Sequence, residues 1–226
     1  MKIGILQTGH APDDLIEATG NYDKMFADML AGHGFEFDAY AVVDGVFPDG
    51  PEAADGWIIT GSKHGAYEDH PWIAPLEDLV RAIHAKRQPL AGICFGHQII
   101  AQALGGKVEK YAGGWAIGRV QYQQDGQTLS LNAWHQDQVT ELPKGARVLA
   151  GNDFCKNGVL AYGDHIWTLQ PHPEFDRNFI AGLIDKRGRG VVPDAILDAA
   201  AADLDGPVNN AEIATFLAAF LKKERT

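Results

Sequence analysis

Two short segments carry side chains whose types and spacing could do covalent chemistry. The first is Gly92-Ile93-Cys94-Phe95-Gly96. It has the glycine–x–nucleophile–x–glycine form of a nucleophile elbow, with cysteine in the place of serine. Glycines on both sides remove the Cβ atoms that would crowd a sharp strand-to-helix turn. Such a turn sets the nucleophile at the carboxyl edge of a sheet and at a helix start, where the helix dipole favours thiolate over thiol. It also points the Phe95 N–H toward a developing oxyanion. The alternative is a buried cysteine between glycines that serve packing alone. The second segment is Gln170-Pro171-His172-Pro173-Glu174-Phe175. Each proline biases the residue before it toward extended backbone, where residues two apart share a side. Glu174 can then hold the His172 ring in one tautomer and leave its other nitrogen to act on a thiol, the nucleophile, base and orienter arrangement of acyl transfer. Taken alone, His-Pro-Glu also fits a helix start, with Glu174 and Asp176 favourable at its positive end. Beside an elbow, the acyl-transfer reading is the stronger one.

A third candidate is Thr60-Gly61-Ser62, where a glycine just past a strand could offer a second oxyanion N–H; an ordinary turn reads equally well. These segments need elements to position them. Ile3 to Gln7 reads as a buried strand, and Asn21 as the cap of a helix through about His33. Strands are expected over Phe35 to Val43, Gly56 to Thr60 and Pro89 to Ile93, with an amphipathic helix over Ile73 to Lys86. An apolar helical run with Ile99, Ile100, Ala103 and Leu104 follows Cys94 and stops at Gly105-Gly106. This alternation predicts an α/β fold with a mostly parallel sheet and crossover helices. The second half is richer in antiparallel strand. Arg119 to Gln123 and Thr128 to Asn132 form a hairpin, and strands follow at Val148 to Gly151, Gly158 to Tyr162 and His165 to Leu169. Helices near Asp176 to Arg187, Asp194 to Ala202 and Ala211 to Lys223 close the chain.

Composition narrows the function classes. The 226 residues are 46% hydrophobic and 22% charged, which suits one globular domain that needs no disulfide or metal staple. The net charge of −11, with no run of Lys and Arg, argues against nucleic acid and against an anionic membrane surface. The uncharged stretch Gln88 to Gly106 is interrupted by His97, Gln and Gly, so no membrane span is expected. No secretory leader is visible and only two cysteines occur, so a cytoplasmic location follows. Cys155, without flanking glycines, reads as structural. The nine His are scattered, and neither an H-E-x-x-H helix nor paired C-x-x-C ligands occur. His64 and His70, six apart on a loop, read as solvated or rim residues. No metal and no cofactor are expected.

Cys94-Phe95-Gly96-His97-Gln98 with Leu104-Gly105-Gly106, and His172-Pro173-Glu174 downstream, resembles the class I glutamine amidotransferases. More narrowly, the chain is similar to stand-alone proteins related to the glutaminase domain of GMP synthase, and to the plant γ-glutamyl peptidases, from Ile3 to about Phe179. The resemblance implies a flavodoxin-like open sheet and a catalytic trio of Cys94, His172 and Glu174. It further implies an oxyanion hole from the N–H groups of Gly61 and Phe95. Gln98 would bind substrate, and Gly113, Gly114 and Trp115 would line the rest of that pocket. The family's Gly-Gly-Pro type of turn is here Thr60-Gly61-Ser62-Lys63-His64-Gly65, a departure at the Gly61 position. Trp134-His135-Gln136-Asp137 reads as a rim element, with a plain loop as the alternative.

The expected domain is single, 1–226, with a catalytic core over about 1–188 and a helical extension over about 189–226. The expected activity is cysteine-dependent hydrolysis of the γ-amide of glutamine or a γ-glutamyl compound, a small-molecule substrate, through a γ-glutamyl thioester. Two other readings stay open. One is a glutaminase subunit delivering ammonia to a separate synthase partner; the other is a non-catalytic module that retains the fold.

Overall fold

Ile3 and Ile5 of β1 (Lys2–Leu6) turn to one side of a sheet and Leu6 to the other, the two-residue period of a strand buried on both faces. A computed structural model describes residues 1–223, so the last three residues of the expected 189–226 extension lie outside the described residues. Apart from α1 (Asp13–Thr19), the first half alternates as anticipated: α2 (Tyr22–Met29), β2 (Glu36–Tyr40), β3 (Gly56–Ile59), α3 (Ile73–Ala85), β4 (Leu90–Ile93) and α4 (Phe95–Ala103). There follow β5 (Lys107–Lys110), β6 (Ala116–Gln124), β7 (Gln127–His135), β8 (Asp137–Glu141), β9 (Ala146–Ala150), β10 (Val159–Tyr162) and β11 (Ile166–Leu169). The chain ends with α5 (Arg177–Leu183), a π-helical turn Ile184–Gly188, α6 (Asp194–Ala202) and α7 (Asn210–Lys222).

Seven strands form the main sheet in the order β2-β1-β3-β4-β11-β10-β9. β2, β1, β3, β4 and β11 run parallel, and β10 and β9 add antiparallel at one edge. The fold is therefore α/β with a mixed, mostly parallel sheet, and β5·β8 and β6·β7 are small antiparallel additions. On one face α3 and α4 bury Leu76, Val80, Phe95 and Ile99 against Trp57 and Ile59. On the other, Phe26 and Leu30 pack with Ile213, Leu217 and Leu221 of α7 against Ile3, Ile5, Ile58 and Ile93. α7 thus belongs to the same core as the strand that precedes Cys94. A third cluster joins Phe175, Phe179 and Leu183 to Leu197 and Ala200 of α6.

Several boundaries differ from the sequence expectations. Asn21 does cap α2, accepting from the Tyr22 N–H, but regular helix ends at Met29 because the chain passes through positive-φ glycines at Gly32 and Gly34. β2 stops at Tyr40, and Val42–Asp44 coils into a 3₁₀ turn. α1 was not anticipated; none of its seven residues is buried, so it has no apolar stripe to read. β5 and β8 were also missed, and β5 buries only Val108. The hairpin turns at Asp125-Gly126, both at positive φ (48° and 79°), the backbone a two-residue type I′ turn requires.

Candidate active site

The carboxyl ends of β3, β4 and β11 supply the three sequence candidates to one place. β4 runs into Cys94, whose backbone is in the left-handed half of conformational space (φ 53°, ψ −104°), and α4 starts at the next residue. Non-glycine residues held this way cost of order 1–3 kcal/mol and persist only where the surroundings over-determine them. Here the surroundings do so. A Cβ on Gly92 would fall 2.5 Å from the Gly96 carbonyl oxygen, and one on Gly96 would fall 2.3 Å from the Ile59 carbonyl oxygen. Both glycines are needed because β3, β4 and α4 approach at backbone distance. The Cys94 N–H donates to Leu169 O at 2.8 Å, which extends the β4–β11 ladder into the turn.

Thr60 and Gly61 end β3 beside this elbow. Thr60 O accepts from the Gly96 N–H (3.1 Å) and from the Thr8 hydroxyl (2.9 Å), and that hydroxyl is also within reach of Gly61 O (3.1 Å). Thr8 and Thr60 are fully buried, so this polar knot is dry and fixed. A Cβ built on Gly61 would lie 2.9 Å from His172 Cε1 and 3.7 Å from Cys94 Cβ, which shows how closely the turn faces both residues. The Phe95 N–H is at the first position of α4, where a helix has no internal acceptor for it.

His172 follows β11 and is held by β7: its N–H donates to Asn132 O at 2.7 Å, and Asn132 Nδ2 donates to Phe175 O at 3.0 Å. His172 Nδ1 and Glu174 Oε1 are 2.7 Å apart, with side-chain exposures of only 4% and 1%. The Phe175 ring stacks on the imidazole at 3.9 Å, 4° from parallel. Burial pulls the His172 pKa down, but the Glu174 carboxylate and the Cys94 sulfur outweigh it and raise it to about 10. Two other buried imidazoles go the opposite way. Burial takes His97 and His135 down to about 3, and His97 Nδ1 pairs with Thr168 Oγ1 at 2.8 Å. The environment separates one chargeable imidazole from two neutral ones, a pattern found where an acid–base group is tuned. Burial, and next the Glu174 charge, also push the Tyr22 hydroxyl upward.

Cys94 and His172 open on a cavity of about 380 Å³. Its walls include Ser62 and Lys63 from the loop after β3, Trp134 from β7, and Arg187 from the π-helical turn. His10 and Tyr22 also line it, and sequence reasoning missed both. His10 had a readable signal, because it closely follows a parallel strand and ligand crevices lie outside those carboxyl ends. For Tyr22, Leu183 and Arg187 no local signal existed. Gln98 is buried one turn into α4, where its Nε2 donates to Asp137 O (3.0 Å) and Gln170 Oε1 (3.2 Å). Gly113 and Gly114 form a turn closed by the Gly114 N–H on Tyr111 O (3.1 Å). Trp115 lines a separate groove with Ala195 and Ile196 of α6. Cys155 is buried, and that burial pushes its thiol up to about 12. His64 and His70, expected as solvated or rim residues of the loop after β3, are partly exposed there. The loop folds back through the Glu68 N–H to Gly65 O bond (3.0 Å) and brings both rings onto Glu68. No helix of the described residues is long and apolar enough to cross a membrane.

Comparison with known proteins agrees with this architecture. The model of the glutamine amidotransferase class-I family matches residues 33–178. Gamma-glutamyl peptidase 3 of Arabidopsis thaliana is 31% identical over 184 residues, covering 74% of this chain and 74% of that one. Gamma-glutamyl peptidase 4 of the same plant is 33% identical over 183 residues, covering 74% of this chain and 73% of its own. Among solved structures, a glutamine amido transferase from Methylobacillus flagellatus superposes with a TM-score of 0.77 over 98% of this chain and 91% of that one, at 21% identity. The last shares the fold; the family match and the two peptidases carry the assignment. The chain belongs to the class I glutamine amidotransferase family.

Proposed function

We propose that the protein hydrolyses the γ-amide bond of a γ-glutamyl compound, with Cys94 as nucleophile, His172 as proton carrier and Glu174 as its orienter. The observation that carries this reading is the strained elbow of Cys94 facing a His172–Glu174 pair that is buried and joined at 2.7 Å. With Nδ1 committed to Glu174, Nε2 of His172 is left for the thiol. Nε2 of His172 already holds the proton, and the Cys94 sulfur beside it attacks the side-chain carbonyl carbon. The oxyanion is met by the N–H groups of Gly61 and Phe95. As the C–N bond breaks, His172 passes the proton to the leaving amine, and a γ-glutamyl thioester remains. Water, deprotonated by His172, then displaces the sulfur, releasing glutamate and restoring the Cys94–His172 pair.

The leaving group is proposed to be a peptide or amine rather than ammonia alone. Four relatives carry the name gamma-glutamyl peptidase, and the cavity beside Cys94 has room and two cations, Lys63 and Arg187, suited to a peptide carboxylate. The test is glutamate release from glutamine, glutathione and γ-glutamyl amides, with Cys94→Ala as control. Release at ordinary enzyme rates of roughly 1 to 10³ per second, abolished in the variant, is the expected outcome. Silence across the panel, with Cys94 still readily alkylated, would overturn the free-standing hydrolase and favour a glutaminase subunit that needs a synthase.

A further inference from the structure

The loop between β3 and α3 gathers three metal-ligating atoms that the reaction above does not use. One donor atom from each of His64, Glu68 and His70 lies within 4.8 Å of the other two. Glu68 Oε2 is 3.3 Å from His64 Nδ1 and 2.7 Å from His70 Nε2, so one carboxylate oxygen is the shared partner of two rings. Donors around a tetrahedral zinc ion, each ~2.0–2.1 Å from it, stand about 3.3 Å apart. The His64–Glu68 pair is already at that spacing, and the His70–Glu68 pair needs to open by about 0.6 Å.

We propose that His64, Glu68 and His70 form a binding site for a divalent ion of the zinc class. Two imidazoles and one carboxylate are the donor set that holds zinc with a fourth position left to water. Each ring would coordinate through the nitrogen it now turns to Glu68, and carry its proton on the other. The site is shaped as well as chemically suited. Trp72 lies nearly parallel to the His70 ring (9°, 5.9 Å) and edge-on to the His64 ring (67°, 5.9 Å), which limits where both imidazoles can point. Side-chain exposures of 22%, 42% and 32% for His64, Glu68 and His70 leave the donors open to an entering ion. His64 and His70 border a surface depression of about 680 Å³ that reaches Asp44.

The position gives the ion a consequence for the neighbouring site. The His64 N–H donates to Ser62 Oγ at 3.1 Å, and Ser62 and Lys63 line the Cys94 cavity. Trp72, behind His70, packs on Phe95 at 5.4 Å. An ion at this cluster would tie the loop bearing Gly61 to the start of α4 through two short chains of contact. It is a staple on the loop, and its function is to hold Ser62 and Lys63, the segment that follows the fixed Gly61 turn.

Zinc also binds thiol–imidazole pairs, so the experiment is run on Cys94→Ala, where Cys94 cannot contribute. Zinc and cobalt(II) alone are titrated into this chain and into one that also carries His64→Asn and His70→Asn. The expected result is one equivalent of cobalt with the visible bands of a low-coordinate ion, and an upward Tm shift with zinc, both lost in the triple variant. Substoichiometric uptake by Cys94→Ala, or equal uptake by both chains, would overturn the proposal. Should the triple variant fail to fold, Cys94→Ala with Glu68→Gln takes its place. At least tenfold weaker zinc binding is then expected, and unchanged affinity would refute the site. In the Cys94→Ala chain, zinc is further expected to slow backbone hydrogen exchange across residues 61–72.

Discussion

Replacing Gly61 by alanine tests the proposed site at its tightest point. The new Cβ would stand 2.9 Å from His172 Cε1. Carbon atoms in good contact are ~3.5–4.0 Å apart, so the ring or the turn must give way by about 0.6 Å or more. The ring cannot retreat freely, because Phe175 stacks behind it at 3.9 Å and Glu174 holds Nδ1 at 2.7 Å. The turn is held too, through Thr60 O, which takes both the Gly96 N–H and the Thr8 hydroxyl. Either way a reacting group moves by a large part of an ångström, and misplacements near 1 Å cost about 10²-fold in rate. The expected loss in kcat/KM is therefore roughly 10- to 10²-fold, or about 1.4–2.7 kcal/mol. Stability should fall by about 0–2.6 kcal/mol, because overpacking of ~1–3 kcal/mol is only partly offset by ~0.4–1 kcal/mol gained through the stiffer unfolded chain. The assay is kcat/KM on the best γ-glutamyl substrate, beside a urea unfolding midpoint. Gly50→Ala is the control, since its Cβ would meet only the Glu52 carboxylate, at 3.4 Å. A Gly61→Ala enzyme within twofold of the parent would refute both the closeness of this turn to His172 and its part in the chemistry.

Three further outcomes follow from the same geometry. Iodoacetamide at neutral pH should label Cys94, which opens on the cavity, well before Cys155, whose burial raises its thiol to about 12; equal rates would count against the elbow. The His172 pKa is raised from 6.5 to about 10, so its pairing with Glu174 contributes stability that is fully present below about pH 6.5 and is lost as pH rises through about 10. The gap between the unfolding midpoints of the parent and His172→Asn should therefore narrow as pH rises through about 10, and a pH-independent gap would contradict the ion pair. A chain ending at Gly206 should fail to melt cooperatively in circular dichroism, because it lacks Ile213, Leu217 and Leu221, all buried against the sheet. At ~1.5–3 kcal/mol per side chain, that loss of about 5–9 kcal/mol approaches a typical whole-domain stability; a melt at the parent Tm would place α7 outside the core.

What could be read from the sequence was what neighbouring residues decide together. Gly92, Cys94 and Gly96 spell the elbow because the constraint is local, and the crowding of Gly96 against Ile59 shows the pattern had a steric cause. The prolines flanking His172 likewise announce extended backbone, and His172 does bridge to Asn132. The 2.7 Å contact with Glu174, however, is made across a turn at Pro173-Glu174 that the sequence reading did not anticipate. The alternating βα half was legible for the same reason: strands buried on both faces and one-sided helices each carry their own period. The loop at 60–72 was not, because neither His64 nor His70 has a periodic partner, and their meeting on Glu68 depends on how the chain folds back at Gly65. Nor were the cavity walls, where His10, Tyr22 and Arg187 come from distant parts of the chain. The helices after Arg189 looked like an appendage because apolar, alanine-rich segments do not say which face of which sheet they will cover. Packing supplies that information, and it puts Leu217 and Leu221 in the same cluster as Ile93, one residue from the thiol. The elbow can be written in five residues, but a strained cysteine holds its place only because the layers on both sides of its strand are filled, and one of those layers is the end of the chain.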